Sequence, residues 1–553
     1  MCIRDSTHSF QVTINEQAEV TDTKDCEITN WTKTVNGVSF SLTPALVAAK
    51  GQLISQAPVA VMVNGQLVAN SQDTLSTIKL LQDSLKEARL IATIKEKNRL
   101  HRYRLRPLNE AYIYLFRRHE MGHLAYEMEE LDELVEEKER ELSRLLNSQR
   151  YDVEIELIKP WSPPKNYPED EVPAFIPTPS IPDELSAFRV ADGFEVSLFA
   201  ADPMIANPIN VNWDTKGRAW VATSSTYPHI VPGREPNDKI IILEDTNQDG
   251  VADKHTVFAD NLLVPHSVMP VKGGAYVAAT TELLFFADYD GDDIADERRV
   301  VYDGFGNADV HHMIHGFRWT PWGDLHFTQS IYINSFIETP YGTRILNGSG
   351  TWAFRPETEG LEIFSRGLVN PWGEAFDEWG QAFATDGAGS SGISYIFPES
   401  AHATAVGAPT VLAGLNSNTP KNTAAEIIYS SHFPKAWQGT IITNDFRANR
   451  TVRYAIQPKD SGYEAQEVQT VLQSDHRSYR PVDSKIGPDG ALYIVDWYNP
   501  IIDHGEVDFY HPIRDKKHGR IWKLTNRRKG LLATPNRATA TPQALLTLSL
   551  IHI

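Results

Sequence analysis

Two periodicities divide the chain. From Phe10 to about Ala69 apolar and polar residues alternate as in strands, ending in Val59-Ala-Val-Met-Val-Asn-Gly-Gln-Leu-Val68, where Asn64-Gly65 is the dipeptide favoured in a two-residue hairpin turn. Between Thr74 and Asn98 the apolar residues Leu75, Ile78, Leu81, Leu85, Leu90 and Ile94 take helical spacing, and a Glu/Leu-rich run from Met128 to Leu146 repeats it. The pattern predicts a small α+β N-terminal segment whose helical pair flanks a Tyr/Arg-rich middle. After Glu156 eight prolines fall from Pro160 to Pro182, which predicts an extended linker.

Beyond Asp183 one unit recurs: an apolar strand, a turn ending in Gly, then a second apolar or aromatic strand. Its copies are centred on Gly217, Gly274, Gly323, Gly380, Gly439 and Gly490, separated by 57, 49, 57, 59 and 51 residues. A lone hairpin cannot bury both faces, whereas radial stacking of four-stranded blades does, and leaves only short edges. The expected fold is therefore mainly β: a six-bladed β-propeller over 185–527, preceded by the α+β segment (7–157) and the Pro-rich linker (158–184). Residues 528–547 begin a further, truncated region.

Composition narrows the function. Seventy-two acidic against fifty-two basic residues give a net charge of −20, a field that repels nucleic acid and anionic lipid surfaces. No stretch approaches the ~20 apolar residues of a spanning helix. The two cysteines, Cys2 and Cys26, exclude a Cys-x-x-Cys-His haem attachment and a cysteine-based zinc site. The first residues lack the charged and apolar regions of a signal peptide. Met1–Ser6 and Leu548–Ile553 read as sequencing-adapter read-through, so both boundaries are treated as artificial.

Three groups of residues carry candidate chemistry. His119-Glu120-Met-Gly-His123 matches the helix motif in which two histidines one turn apart bind zinc and the glutamate activates water; Arg117, Arg118 and Gly122 speak against it. Two acidic loops, with Asp245, Asn247, Asp249 and Asp253 in one and Asp288, Asp290, Asp292 and Asp296 in the other, place oxygens at positions 1, 3, 5 and 9, a spacing suited to calcium. Asx-rich turns give the same pattern without an ion. The third group is His311-His312-Met-Ile-His315, just before a hairpin copy.

Two resemblances add to these residues. Glu96 to Leu100, Arg104 to Asn109 and Tyr112 to Glu120 resemble the closing segment of SGNH (GDSL-type) hydrolase domains, although their Gly-Asp-Ser nucleophile block is absent. The histidine stretch, Gly367-Leu-Val-Asn-Pro-Trp-Gly373, Phe433 to Arg453 and Tyr479 to Gly490 resemble the soluble quinoprotein glucose/sorbosone dehydrogenases, in the membrane-bound-dehydrogenase-like branch of Planctomycetes and Bacteroidetes. That resemblance implies an exported or periplasmic propeller that oxidises a sugar or alcohol by hydride transfer to pyrroloquinoline quinone (PQQ), with a cytochrome as possible electron acceptor. It implies His312 as base, His315 as fallback, and Asn370, Arg447, Arg480 and Asp483 around the cofactor. Val369 and Val482 stand where the family carries arginines. A non-catalytic carbohydrate- or partner-binding propeller is the alternative from another class, and a zinc peptidase the third.

Overall fold

In the computed structural model the described residues are 9–14, 20–24, 26–33, 37–44, 50–55, 59–63, 66–71, 75–79, 83–122, 124–147, 151–157, 178–388, 392–402, 412–416, 421–503, 505–533, 537 and 539–545. The chain forms two compact units. One comprises 1–106 and 126–166; the other comprises 107–125 and 167–553.

The first unit holds a four-stranded and a five-stranded sheet and two long helices, Asp83–Leu105 and Leu124–Asn147. Strands Val59–Val63 and Gln66–Ser71 pair antiparallel with Val63 opposite Gln66, the register of a two-residue turn; Asn64 and Gly65 themselves lie outside the described residues. One expectation fails here. Leu75 and Ile78, assigned to a helix by spacing, lie in the strand Leu75–Lys79, which pairs with Lys50–Ser55. The β-branched pair Thr77 and Ile78 fits a pleated ladder, and tertiary pairing overrides a short helical period. The helix begins at Asp83.

The second unit is the six-bladed propeller. Its innermost strands are Pro208–Trp213, Pro265–Val271, His315–Trp319, Pro371–Phe376, Asn422–Ile427 and Pro481–Ile486, opening blades 1 to 6. Each packs against the next, and the sixth returns to the first. The six turn glycines all join the first strand of a blade to the second with positive φ, from 71° at Gly439 to 149° at Gly274, a backbone region that a side chain disfavours. The ring is closed by strand Phe194–Ala201, which enters before blade 1 and pairs antiparallel with Arg520–Asn526 of blade 6.

Outer edges are joined as well. The amide of Ala252, in the first acidic loop, donates to Phe199 O on the outer strand of blade 6 (2.8 Å), and the amide of Ala295, at the same place in the second loop, donates to Phe258 O on the outer strand of blade 1 (2.9 Å).

Cores form between blades. Trp522 is fully buried with Phe188, Phe194, Trp437 and Leu492, and its indole N–H donates to Asp496 Oδ2 at 3.1 Å. Removing it leaves a large cavity and a buried carboxylate short of a donor, so Trp522→Ala should cost about 3–5 kcal/mol in urea unfolding. Trp379, 78% exposed on a blade-4 turn, should tolerate alanine within about 0.5 kcal/mol in the same assay.

Candidate functional site at the channel mouth

Antiparallel blades send their first-to-second turns to one face and their second-to-third loops and inter-blade connections to the other. On this second face a cavity of about 470 Å³ opens over the channel. Below it lies a smaller space of about 60 Å³ that shares Tyr227, His311, Trp372, Val482 and Trp497 with the mouth.

The floor of the mouth is built around one buried carboxylate. Asp309 caps the single turn Val310–His312, accepting from the His311 amide (3.1 Å) while its Oδ1 lies 2.7 Å from His311 Nδ1. Its Oδ2 stands 3.3 Å from His312 Nδ1, accepts from Tyr112 Oη (3.2 Å) and lies 3.6 Å from Arg117 Nη1. Burial alone would raise this carboxyl, but the His312 and His311 rings and their hydrogen bonds hold it well below the usual carboxylate range. Burial lowers His311, against the pull of Asp309, so the ring stays neutral near pH 7.

Tyr112 and Arg117 come from Pro107–Ala125, which belongs to the propeller unit rather than to the chain on either side of it. Hydrogen bonds dock it on the loop before blade 3: Ala111 N donates to Ala308 O (2.8 Å), and Val310 N to the side-chain Oδ1 of Asn109 (2.9 Å). Arg117 also pairs with Glu120 (2.6 Å) and Glu506 (2.9 Å).

His312, Asn370 and Arg447 line this one cavity. Asp386 positions Asn370, accepting from the Val369 and Asn370 amides at 2.9 and 2.8 Å. Arg480 does not join them. Its guanidinium is buried against the carbonyls of Asn499 and Phe446 at 3.0 and 3.1 Å, and burial brings it down to about 10. His315 and Asp483 lie deeper, on the smaller space. Both ring nitrogens of His315 face backbone carbonyls, Met313 O (2.6 Å) and Pro371 O (2.9 Å). Asp483 accepts from Asn210 Nδ2 (2.8 Å) and from the Val211 amide (3.1 Å).

The zinc motif does not form. Arg118–Glu120 is one 3-10 turn, Gly122 is left-handed at φ 50°, and Glu120 is taken by Arg117, so no continuous helix carries the motif; His123 lies outside the described residues. The acidic loops join the third and fourth strands of blades 1 and 2, on the face away from the mouth. In the first, the carboxylates cap amides: Asp245 those of Asp249 and Gly250, Asp253 that of Thr246. Asn247 and Asp249 bond each other. In the second, Asp288, Asp290 and Asp296 offer oxygens within 4.8 Å of one another, while Asp292 caps Ile294. Among the described residues no comparable group forms in the first loop.

Sequence reasoning missed Asp309 and Lys421, and it named His311, Tyr112, Arg117 and Glu120 without placing them at this mouth. The available signal was an aspartate two residues before a histidine pair.

A family model described as a domain of unknown function (DUF7133) matches residues 180–528. No curated protein matches the chain. Similar solved structures include a putative oxidoreductase (glucose dehydrogenase) from Thermus thermophilus, with 16% identity and TM-score 0.42 over 60% of this chain and 100% of that one. A pyranose dehydrogenase PQQ domain from Coprinopsis cinerea has 10% identity and TM-score 0.43, over 61% and 97%. A luciferin-regenerating enzyme has 12% identity and TM-score 0.39, over 62% and 99%.

Buried neutral histidines make the channel acid-sensitive. Burial, with His315 and His311 nearby, lowers His266 to about 3. An unfolded histidine binds its proton below ~6.5, so this contribution to stability is present at neutral pH and is lost as pH falls. Between pH 7 and 5 the wild type should lose about 2 kcal/mol more than His266→Gln. The difference between the two proteins is the readout, because Asp496, raised to about 7 by burial, contributes with the opposite sign.

Proposed function

The chain belongs to the DUF7133 family, and for its propeller we propose a small-molecule site at the channel mouth that takes a neutral sugar or alcohol, with the Asp309–His311 pair as base toward one hydroxyl. The observation that carries this is the buried pair at the floor of the cavity: a carboxylate 2.7 Å from Nδ1 fixes the tautomer, so the ring acts through Nε2. His312 stands at the longer distance of 3.3 Å. The wall balances Arg117, Lys421 and Arg447 with Glu120, Asp503 and Glu506, which suits an uncharged ligand.

Oxidation with PQQ is a second reading, favoured by the shared cavity of His312, Asn370 and Arg447. The residues do not fit that tricarboxylate. Val369 and Val482 give the wall apolar surface where carboxylate partners are wanted, Arg480 is committed to backbone carbonyls, and the remaining wall cations Arg117, Lys421 and Arg447 are matched by Glu120, Asp503 and Glu506. Export and a cytochrome acceptor rest on resemblance alone.

Titration of the full chain with a panel of sugars and alcohols should raise its thermal midpoint, PQQ should not, and Asp309→Asn should weaken the ligand response. In dye-linked oxidation of the same panel, with and without PQQ, His311→Ala should lower turnover by ~10² to 10⁴ and His312→Ala by less. Binding without turnover under any acceptor would leave the non-catalytic carbohydrate-binding reading; no binding would overturn both.

Calcium belongs to this reading only as a structural ion, at Asp288, Asp290 and Asp296. Added calcium should raise the thermal midpoint of the wild type and not of Asp288→Asn/Asp290→Asn. Equal midpoints would identify the loop as a turn alone.

A further inference from the structure

The opposite face carries a second opening, a cavity of about 420 Å³ at the far end of the channel. Its aromatic wall follows from the repeat. The residue four before the turn glycine is Trp213 in blade 1, Trp319 in blade 3 and Phe376 in blade 4, and all three line the opening. The residue just before the turn glycine is Trp322 in blade 3 and Trp379 in blade 4, and these stand 46% and 78% exposed. Trp322 packs edge-on to Phe376 at 5.5 Å, and the Gly380 turn lies against its ring, so exposed rings lead from the surface to the rim of the cavity.

Large aromatic rings left in water contribute little to folding, whereas they gain when an apolar sugar face covers them. Four of the five charged groups at this opening, all but the exposed Arg537, already have partners. Arg318 pairs with Glu426 at 2.7 Å, Asp214 with Arg218 at 2.7 Å, and Lys485 lies 3.5 Å from Asp483. An ionic ligand would find these charges already engaged. Among the described residues the buried indole N–H of Trp213, a residue of the cavity wall, has no acceptor.

We propose that this far opening is a binding site for a neutral oligosaccharide, stacked on Trp322 and Trp379 with one end at the Trp213 cavity. The site is separate from the channel mouth and does not rest on the reading given to it.

Isothermal titration of the full chain with hexasaccharides of glucose, xylose and mannose tests it. At least one should bind, and Trp322→Ala/Trp379→Ala should weaken binding about tenfold or more while leaving the mouth's response to small sugars and alcohols unchanged. Far-ultraviolet circular dichroism should show the double variant folded, with a midpoint lowered by the lost Trp322–Phe376 packing, whereas Trp379→Ala alone should weaken binding without moving the midpoint. No hexasaccharide binding at millimolar concentration would overturn the proposal. So would binding that survives loss of both tryptophans.

Discussion

Closure of the ring is the constraint on which the rest depends. Six sheets that each bury both faces against neighbours have no stable partial form, because the first and last would expose an apolar side. The seam is sealed by Phe194–Ala201 on Arg520–Asn526, so residues far apart in sequence must meet before blade 6 is complete. At the second-strand ends of blades 4 and 6, Asp386 and Asp496 accept amides from the connections that carry Asn370 and Arg480. The chemistry at the mouth is thus held by the polar ends of strands whose apolar middles close the ring.

Asp309 is the electrostatic counterpart of that seam. A carboxylate with no exposed surface persists as an anion only because several donors converge on it, and two of them, Tyr112 and Arg117, arrive from outside the blades. Pro107–Ala125 is therefore part of the site's construction, supplying charge neutralisation to a loop of blade 3. This explains why the Tyr/Arg-rich middle between the two helices carries a buried tyrosine whose ring lies under a guanidinium at 4.6 Å.

The blades were legible because their punctuation is local: a glycine forced to positive φ marks each first turn, and counting six such glycines counts the blades. The helix after Asp83 was legible for the same reason, whereas Leu75 and Ile78 were not, since a strand that short is decided by the ladder it joins. The site was harder. His312, Asn370 and Arg447 line one cavity because each sits in a loop anchored to a blade register. Arg480 was misleading because sequence gives its position and not the direction of its guanidinium, which three-dimensional neighbours turn onto carbonyls. The His119–His123 pattern failed for a backbone reason, a left-handed Gly122 where the motif needs a helix.

The alanine amides of the two acidic loops add a mechanical property. A blade joined to its neighbour only along its innermost strand can rock about that line, as a door swings on one hinge. The bonds from Ala252 to Phe199 and from Ala295 to Phe258 add an attachment at the outer radius that opposes such rotation between blades 6, 1 and 2. Tyr227 of blade 1 and Trp497 of blade 6, which narrow the passage beneath the mouth, stand within this braced sector, so the width of the passage there is set by the rim of the disc as much as by its axle.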